Sequence, residues 1–374
     1  MRIVHVSDCY LPRTGGIETQ VRSLALAQAA AGDDVRIITA SPGHDGVRAG
    51  HEIVDGLDVE RIAVDLPGEI PIHPRTRARV VDSLREHPAD VVHVHAGVIS
   101  PFAWGAVRAA HQLGVPAVVT VHSVWGPLAR PAFGASNALV RWAQWGVALS
   151  AVSQVAADRV SEAVGVDVAV LPNGIDAAAW RPQRPWAAKP GELRVVSVLR
   201  LAPRKRVGAL LTAIARASVL LAPQVSVSAM IIGDGPERAR AERLARRLGV
   251  DARFTGRLPA HLIRERFADS DVFVQASVKE SFGIAALEAR AAGLPVIARA
   301  QAGSGEFIAD GLNGFLAVDD RALADRLALL GRDPELLARM HEVNAGTEPE
   351  QTWARVCARA QELYARAAAV GTST

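Results

Sequence analysis

The chain has 374 residues, of which 49% are hydrophobic and 22% are charged, and its formal net charge is +3. This length exceeds a typical single domain and suffices for a large buried core, so two domains are expected. The two cysteines, Cys9 and Cys357, exclude a disulfide framework and a cysteine-ligated metal site. The mild charge permits an anionic ligand or membrane surface without requiring either.

The hydropathy of the chain predicts a cytoplasmic protein. No run of about 18 apolar residues suggests a membrane span. The N-terminal stretch MRIVHVSDCYLPRTGG turns polar too early for a signal peptide. No nucleic-acid partner is expected.

Strand-like and helix-like segments alternate along the first half. RIVHV predicts a strand, GIETQVRSLALAQAAAG predicts a helix from the spacing of its apolar residues, and DDVRIITA predicts the next strand. The series continues with ADVVHVHA, PAVVTVHS, VALSAVS and VAVLPNGID. These runs are β-branched and nearly continuously apolar, which is typical of parallel strands buried on both faces of a sheet.

The second half repeats this alternation after a break. The break contains three prolines and no helical period, which indicates a linker. Strands such as LRVVSVLRL, VSVSAMIIGDGP, DVFVQAS and PVIARA then alternate with helical segments. We therefore predict an α/β protein with two doubly wound domains, at residues 1–178 and 193–352, joined by a linker at 179–192. A C-terminal helix at 353–374 is predicted to pack back on the first domain.

The segment KESFGIAALEARAAGLPVIA places two carboxylates, Glu280 and Glu288, eight residues apart. A helix is predicted to begin near Phe282 and Gly283, which puts Glu288 about 8 Å further along the helix axis. Unpaired amides at the helix start could bind a diphosphate, and Glu288 could accept hydrogen bonds from a ribose. Alternatively, Glu280 complements the helix dipole and Glu288 is a solvated surface residue.

This segment resembles the E-x7-E segment of the family 4 retaining glycosyltransferases, whose GT-B fold has two facing Rossmann-like domains. Other motifs of the family follow in order over nearly the whole chain. VLRLAPRKRVGALL resembles its R-x4-K signature, MIIGDGPERA its GxGP turn, and ARFTGRL its base-binding strand. AGSGEFIADGLNGFLA, PRTGGIETQVRSLA and LPNGID resemble further family segments.

The chain departs from the family pattern at a few positions. Ala276 stands where proline is usual before the first glutamate, Ser281 replaces a glycine, and Arg206 follows Lys205 where glycine is common. None of these departures removes a charged group. They therefore affect local geometry more than chemistry.

The resemblance implies a retaining hexosyltransferase that takes its sugar from a UDP- or GDP-linked donor. It implies front-face transfer, in which the leaving phosphate takes the proton of the acceptor hydroxyl. No tightly bound cofactor is implied, and a divalent metal is not clearly required. The acceptor is expected to be a small molecule or lipid-linked, and the domain cleft is the expected site.

The resemblance also implies roles for individual residues. Arg200 and Lys205 bind the donor diphosphate and stabilise the leaving nucleotide, as the charge that develops there requires. Glu280 holds hydroxyls of the transferred sugar, and His122 lies beside that sugar. These four residues form the catalytic set. The donor-binding set consists of Gly16, Gly233, Arg253, Phe254, Ser281, Phe282, Gly283, Ile284 and Glu288, with Glu288 at the ribose, Gly283 and Ile284 at the phosphates, and the backbone of Arg253 and Phe254 at the base.

The acceptor side is predicted to include Gly15, Glu18 and His95. Gly15 permits close backbone approach, although a tight turn is the alternative. His93 and His95 form an i, i+2 pair whose rings point to one face, and a third ligand would suggest a metal site. No third ligand stands out in the sequence, so no metal site is predicted. His95 is interpreted as a cleft residue and His93 as a packing residue.

The basic segment with Arg75, Arg77 and Arg79 predicts weak contact with the inner face of the plasma membrane, or simply a solvated helix.

Two further alternatives come from other functional classes. An NAD(P)-dependent oxidoreductase would need G-x-G-x-x-G after the first strand, and RTGGIETQ lacks that spacing. A catalytically inactive GT-B scaffold remains the main alternative, although the retained charged residues argue against it.

Overall fold

The computed structural model describes residues 1–13, 15–64, 73–97, 100–125, 131, 134, 145–182 and 184–371. The chain divides into two compact units. The first unit contains Met1–Gly174 and Gln351–Thr374, and the second contains Ile175–Glu350. Among the helices of the described ranges, none is long and apolar enough to cross a membrane.

The first unit is built on a sheet of eight described strands in the order β3-β4-β2-β1-β5-β6-β7-β8. The strands are β1 (Arg2–Ser7), β2 (Asp34–Thr39), β3 (Ala49–Val54), β4 (Leu57–Ile62), β5 (Val91–Ala96), β6 (Ala117–Val121), β7 (Val147–Ala151) and β8 (Ala169–Val170). All neighbouring pairs are parallel except β3 and β4. The strand order changes direction between β1 and β5, which places a topological switch point at their carboxyl ends.

Helices cover both faces of this sheet. They are α1 (Gly16–Ala30), α2 (Thr76–Glu86), α3 (Pro101–Leu113), α4 (Gln154–Val164) and α12 (Trp353–Gly371). Ile3 of β1 lies in the core that α1 and α12 cover, whereas Val4 lies in the core that α2, α3 and α4 cover. This alternation follows from the two-residue period of a strand. The helix that closes the chain thus packs on the sheet of the first unit.

The antiparallel hairpin β3–β4 was not among the predicted elements. Its turn contains Asp55 and Gly56, which have φ of 54° and 84°. Asp-Gly is a preferred sequence for two-residue hairpin turns with positive φ at both positions. The sequence therefore carried a signal for this hairpin.

The second unit is built on six described strands, all parallel, in the order β11-β10-β9-β12-β13-β14. The strands are β9 (Glu192–Val198), β10 (Ser226–Ile232), β11 (Asp251–Gly256), β12 (Val272–Gln275), β13 (Val296–Arg299) and β14 (Gly314–Ala317). The helices are α5 (Ala177–Trp180), α6 (Val207–Leu221), α7 (Arg238–Leu248), α8 (Ala260–Ala268), α9 (Ile284–Ala291), α10 (Asp320–Arg332) and α11 (Pro334–Gly346). Here the switch point lies between β9 and β12.

Candidate functional site

The second unit brings most of the predicted donor residues to the carboxyl edge of its sheet. Arg200 follows β9, and Lys205 ends a short 3-10 turn, Pro203–Lys205, just beyond it. Glu280 lies in the segment between β12 and α9. Because β9 and β12 are paired neighbours at the switch point, the segments that follow them meet.

Lys205 and Glu280 form a direct ion pair between the ammonium and one carboxylate oxygen. Their side chains are 22% and 13% exposed, so the pair is partly shielded from solvent. Gln275 donates to the same carboxylate oxygen at 3.5 Å, and its own Oε1 accepts the Ser304 hydroxyl at 3.0 Å. Glu280 therefore neutralises Lys205, and a diphosphate that binds Lys205 must compete with it.

Arg200 and Arg206, which lie before and after Lys205 in this segment, differ in their surroundings. The Arg200 side chain is exposed and has no hydrogen-bond or ion-pair partner among the described residues. Arg206 is bound to Asp320 through two hydrogen bonds of 3.0 and 2.6 Å and donates to the Ala276 carbonyl. Its φ of 56° lies in the left-handed region, which explains why glycine suits this position. Of Arg200, Lys205 and Arg206, only Arg200 is therefore without a partner among the described residues.

The start of α9 has the properties of an anion site. Gly283 precedes the helix with φ of 92°, and no side chain caps its first turn. Phe282 is buried, whereas Ser281 and Ile284 are half-buried. Uncapped first-turn amides at the positive end of a helix are donors without intrahelical partners. This arrangement suits a phosphate.

Glu288 lies one turn into α9. It is partly buried, and the structure gives its carboxylate no hydrogen-bond or ion-pair partner within the described ranges. Loss of solvation raises the pKa of this carboxyl from 4.5 to about 8. The partial burial of the side chain argues against the alternative that Glu288 is a solvated surface residue. Hydrogen-bond donors from a ligand would favour the ionised form.

Three further predicted donor residues, Gly233, Arg253 and Phe254, lie on the other side of β9. Gly233 follows β10 with φ of 130°, and a Cβ there would overlap the Leu199 carbonyl oxygen. Its N–H donates to the Gly256 carbonyl at the end of β11 at 2.8 Å. On β11, which is the edge strand, Arg253 is exposed and Phe254 is half-buried. The GxGP turn thus lies beside the strand predicted to contact the base.

The glycine-rich segment of the first unit starts α1. The helix begins at Gly16, with Gly15 extended at φ of −166° and no side-chain cap. Glu18 is 7% exposed and folds back so closely that a Cβ on Gly15 would overlap its carboxylate. Arg13 lies 3.7 Å from the same carboxylate. Any anion that approached this helix start would meet Glu18 first.

The structure adds a histidine that the sequence prediction missed. His5 on β1 pairs in register with His93 on β5 and stacks on His95, with ring centroids 5.2 Å apart. His95 Nδ1 lies 3.0 Å from Nε2 of His122, which follows β6. The ring nitrogens of His5, His93 and His95 lie within 4.8 Å of one another, a geometry that could hold a metal ion. The third possible metal ligand beside His93 and His95, which the sequence analysis did not find, therefore comes from the neighbouring strand β1.

His93, which the sequence analysis interprets as a packing residue, also takes part in hydrogen bonds. It is fully buried, and both its ring nitrogens are hydrogen-bonded, to the Tyr364 hydroxyl at 2.9 Å and the Thr120 hydroxyl at 2.7 Å. A cavity of about 20 Å³ lies beside His95 and His122. That volume is sufficient for about one water molecule.

The basic segment is solvent-facing. Arg75, Arg77 and Arg79 are all exposed at the start of α2. Exposed arginines are expected both for a solvated helix and for a helix that contacts a membrane weakly. Membrane contact therefore stays a prediction.

Comparison with known proteins gives the family. Residues 14–179 match the family described as Glycosyltransferase Family 4, and residues 180–345 match Glycosyl transferases group 1. A glycogen synthase of Mycobacterium tuberculosis is 30% identical over 355 residues, which cover 84% of this chain and 81% of that protein. A GDP-mannose-dependent alpha-mannosyltransferase of Corynebacterium glutamicum is 26% identical, over 98% of this chain and 89% of that protein.

A solved structure of Anabaena HepE in complex with UDP has a similar fold. It matches with a TM-score of 0.73 and 20% sequence identity, over 97% of this chain and 99% of that chain. The predicted fold class, α/β with two doubly wound domains of the GT-B type, is confirmed. Because the sequence matches of both halves and the 30% identical relative agree, this chain belongs to the group 1 glycosyltransferases of family 4.

Proposed function

We propose that this protein is a retaining hexosyltransferase that takes its sugar from a nucleoside diphosphate and transfers it to a hydroxyl acceptor. One observation carries the proposal. The Lys205–Glu280 pair involves the segment just before the uncapped start of α9, and Glu288, whose carboxylate has no partner within the described ranges, lies one turn into that helix. A nucleotide sugar offers a negatively charged diphosphate to Lys205 and hydroxyl donors to the carboxylates of Glu280 and Glu288.

The diphosphate would bind where positive potential is concentrated. Backbone amides of Gly283 and Ile284, the Lys205 ammonium and the free Arg200 guanidinium all favour an anion there. Breaking the bond between sugar and phosphate increases the negative charge on the leaving diphosphate. Fixed cations at that position stabilise the transition state more than the ground state.

The ion pair supports a division of labour between its two members. On donor binding, Lys205 would exchange a carboxylate for a phosphate, and the released Glu280 would accept hydrogen bonds from sugar hydroxyls. The ribose hydroxyls would donate to Glu288 one turn further into α9. Both carboxylates would then be satisfied by one ligand. The role of His122 beside the sugar is implied by the family resemblance and stays a prediction.

The donor class is narrowed by the relatives. The corynebacterial relative is named for GDP-mannose, and the Anabaena structure contains UDP. These names support a UDP- or GDP-linked hexose. We propose a small-molecule or lipid-linked hydroxyl compound as acceptor.

The test combines binding, turnover and stereochemistry. Purified protein is incubated with UDP-glucose, UDP-N-acetylglucosamine and GDP-mannose, and the released nucleotide is measured. Proton NMR of the product then reports the anomeric configuration, which retention requires to be that of the donor. We expect turnover with one donor, loss of turnover in Lys205→Ala, and normal turnover in Lys189→Ala, an exposed lysine of the linker.

Two results would contradict the proposal in different ways. An inverted product would remove the retaining mechanism but leave the transferase. Binding of UDP or GDP without turnover for any donor and a panel of acceptors would instead favour the inactive scaffold.

A further inference from the structure

A chain of buried hydrogen bonds in the first unit has a direction that can be worked out from one end. That end is the Val119 carbonyl, which can only accept, and it accepts the Ser150 hydroxyl at 3.3 Å. A hydroxyl has one proton to donate. Since Ser150 uses its proton on Val119, the 2.7 Å bond between Thr120 and Ser150 must be donated by Thr120.

The direction then passes through the middle of the unit. Thr120 has used its proton, so its oxygen accepts from His93 Nε2 at 2.7 Å. Burial lowers the pKa of His93 well below its ordinary value, so the ring is neutral and carries one N–H. His93 Nδ1 must therefore accept the Tyr364 hydroxyl at 2.9 Å. The Tyr364 oxygen in turn accepts the amide N–H of Gln28 at 2.8 Å.

The same reasoning continues to the end of β6. The Gln28 carbonyl accepts from His5 Nε2 at 2.7 Å. Burial lowers the pKa of His5 to about 4, so this ring is neutral too, and its Nδ1 accepts from His95 Nε2 at 2.9 Å. His95 is likewise buried and neutral, so its Nδ1 accepts from His122 Nε2 at 3.0 Å.

All eight hydrogen bonds therefore point the same way, from His122 through His95, His5, Gln28, Tyr364, His93, Thr120 and Ser150 to the Val119 carbonyl. We propose that this chain fixes His122 as the tautomer with the proton on Nε2. Its Nδ1 then presents a lone pair and accepts a hydrogen bond from a ligand hydroxyl. Nδ1 has no partner among the residues that the structure describes.

A metal ion at His5, His93 and His95 would conflict with this chain. All six ring nitrogens of these residues already take part in hydrogen bonds. A metal bound by one nitrogen of each ring would displace at least two of those contacts. The hydrogen-bond chain accounts for every nitrogen without an ion.

The consequence for transfer rests on the proposed function of His122 at the donor sugar. Tyr364, Gln28 and His5 are positioning residues, because they act on the sugar only through His122. Tyr364 is the informative one. Without its hydroxyl, the Gln28 amide loses its acceptor and can rotate to donate to His5, which would reverse the tautomers up to His122.

The first test does not depend on activity. The full-length protein is labelled with ¹⁵N-histidine, and long-range ¹H–¹⁵N correlation spectra distinguish a protonated ring nitrogen from an unprotonated one. The signals of His122 are identified by their loss in His122→Gln. We expect a neutral His122 ring with Nε2 protonated and Nδ1 unprotonated. A proton on Nδ1, an imidazolium, or stoichiometric zinc in the purified protein would overturn the inference.

The second test uses a matched pair of tyrosine variants. The chain has two tyrosines. Tyr10 is also fully buried in the first unit, and its hydroxyl has no hydrogen-bond partner in the part of the chain that the structure describes. Tyr364→Phe should shift the His122 signals and lower the turnover by about tenfold, the lower end of the loss seen when the hydrogen-bond partner of a metal-ligating histidine is removed. Tyr10→Phe should change neither.

Nucleotide affinity separates a positioning effect from general damage. Tyr364→Phe should leave the dissociation constants for UDP and GDP unchanged, because the groups proposed to bind nucleotide belong to the second unit. Unchanged His122 signals in a folded Tyr364→Phe protein would contradict the inference. If that variant does not fold, the wild-type spectrum still decides. If the protein transfers no sugar, the proposed function fails while the tautomer result stands by itself.

Discussion

Replacing Glu288 by glutamine should stabilise the free protein and weaken nucleotide binding at the same time. The carboxyl lies partly buried in α9, and desolvation raises its pKa from 4.5 to about 8. In the unfolded chain water surrounds the same group, and its pKa is ordinary. At a pH between these two pKa values, the Glu288 carboxyl therefore keeps a proton in the folded state that it releases in the unfolded state.

The sign and size of the effect follow from this difference. Below about pH 4 the carboxyl is protonated in both states, so the substitution should change the free energy of unfolding little. From pH 4.5 to 8 the wild-type protein should lose up to about 1.4 kcal/mol of stability per pH unit relative to the variant. Above pH 8 both states ionise and the difference levels off, on the order of 5 kcal/mol if the whole pKa displacement is realised.

Binding should change in the opposite direction. An ionised carboxylate accepts hydrogen bonds on both oxygens, whereas a glutamine amide offers a single acceptor oxygen. Loss of a hydrogen bond to a charged group weakens binding by about 1.5–3 kcal/mol, or roughly 10- to 100-fold in dissociation constant. Nucleotide binding to the wild type should also release a proton near pH 7, because the ribose favours the ionised form of Glu288.

Melting temperatures at pH 5, 7 and 8.5, with and without UDP or GDP, measure both effects. Glu335→Gln in α11 is the control, because the Glu335 side chain is 89% exposed in the same unit. The difference in melting temperature between Glu288→Gln and wild type should widen from pH 5 to pH 8. The Glu335→Gln variant should show no such trend. A gap that does not depend on pH would mean that water solvates the Glu288 carboxyl. Unchanged nucleotide affinity would remove Glu288 from the ribose site.

Three further variants test other parts of the second unit. Glu280→Gln frees Lys205 for the diphosphate, so we expect tighter UDP or GDP binding by titration calorimetry together with slower sugar transfer. Gly233→Ala places a Cβ against the Leu199 carbonyl at positive φ, and should lower the free energy of unfolding by about 2 kcal/mol or more in urea titrations. Asp271→Ala removes the buried partner of an arginine and a tryptophan N–H, and should cost about 3–5 kcal/mol in the same titrations.

Much of the fold could be predicted because its strands are buried on both faces. Such strands appear in the sequence as continuous apolar runs, and the glycine-rich turns between strands and helices have recognisable spacing. The hairpin β3–β4 was missed because its outer strand is exposed, with Ile53 72% exposed, so it lacks an apolar run. Its Asp-Gly turn was the one local signal available.

The pairings within the candidate sites were harder to predict, because they depend on strand register and on loop paths. Lys205 and Glu280 are 75 positions apart, and only the adjacency of β9 and β12 brings them together. His5 and His93 are direct partners across two strands that are far apart in the sequence. A one-residue shift in register would turn His5 to the opposite face of the sheet. No local pattern specifies that register.

The two units hold their polar groups in different ways, and the difference bears on how each would recognise a ligand. In the second unit, Lys205 and Glu280 are charged groups that can exchange one partner for another, and Arg200 has no partner among the described residues. Charges of this kind attract a diphosphate strongly but specify its orientation weakly. In the first unit the imidazoles are neutral and joined in one directed chain of hydrogen bonds. Reversing the tautomer of His122 therefore requires every hydrogen bond in that chain to change direction. A fixed acceptor is sensitive to where a hydroxyl lies, and hydroxyl positions are what distinguish one hexose from another. We therefore expect substitutions at Lys205 to change the affinity for all nucleotide sugars similarly, and substitutions at Tyr364 to change the ratio of turnover between different sugars.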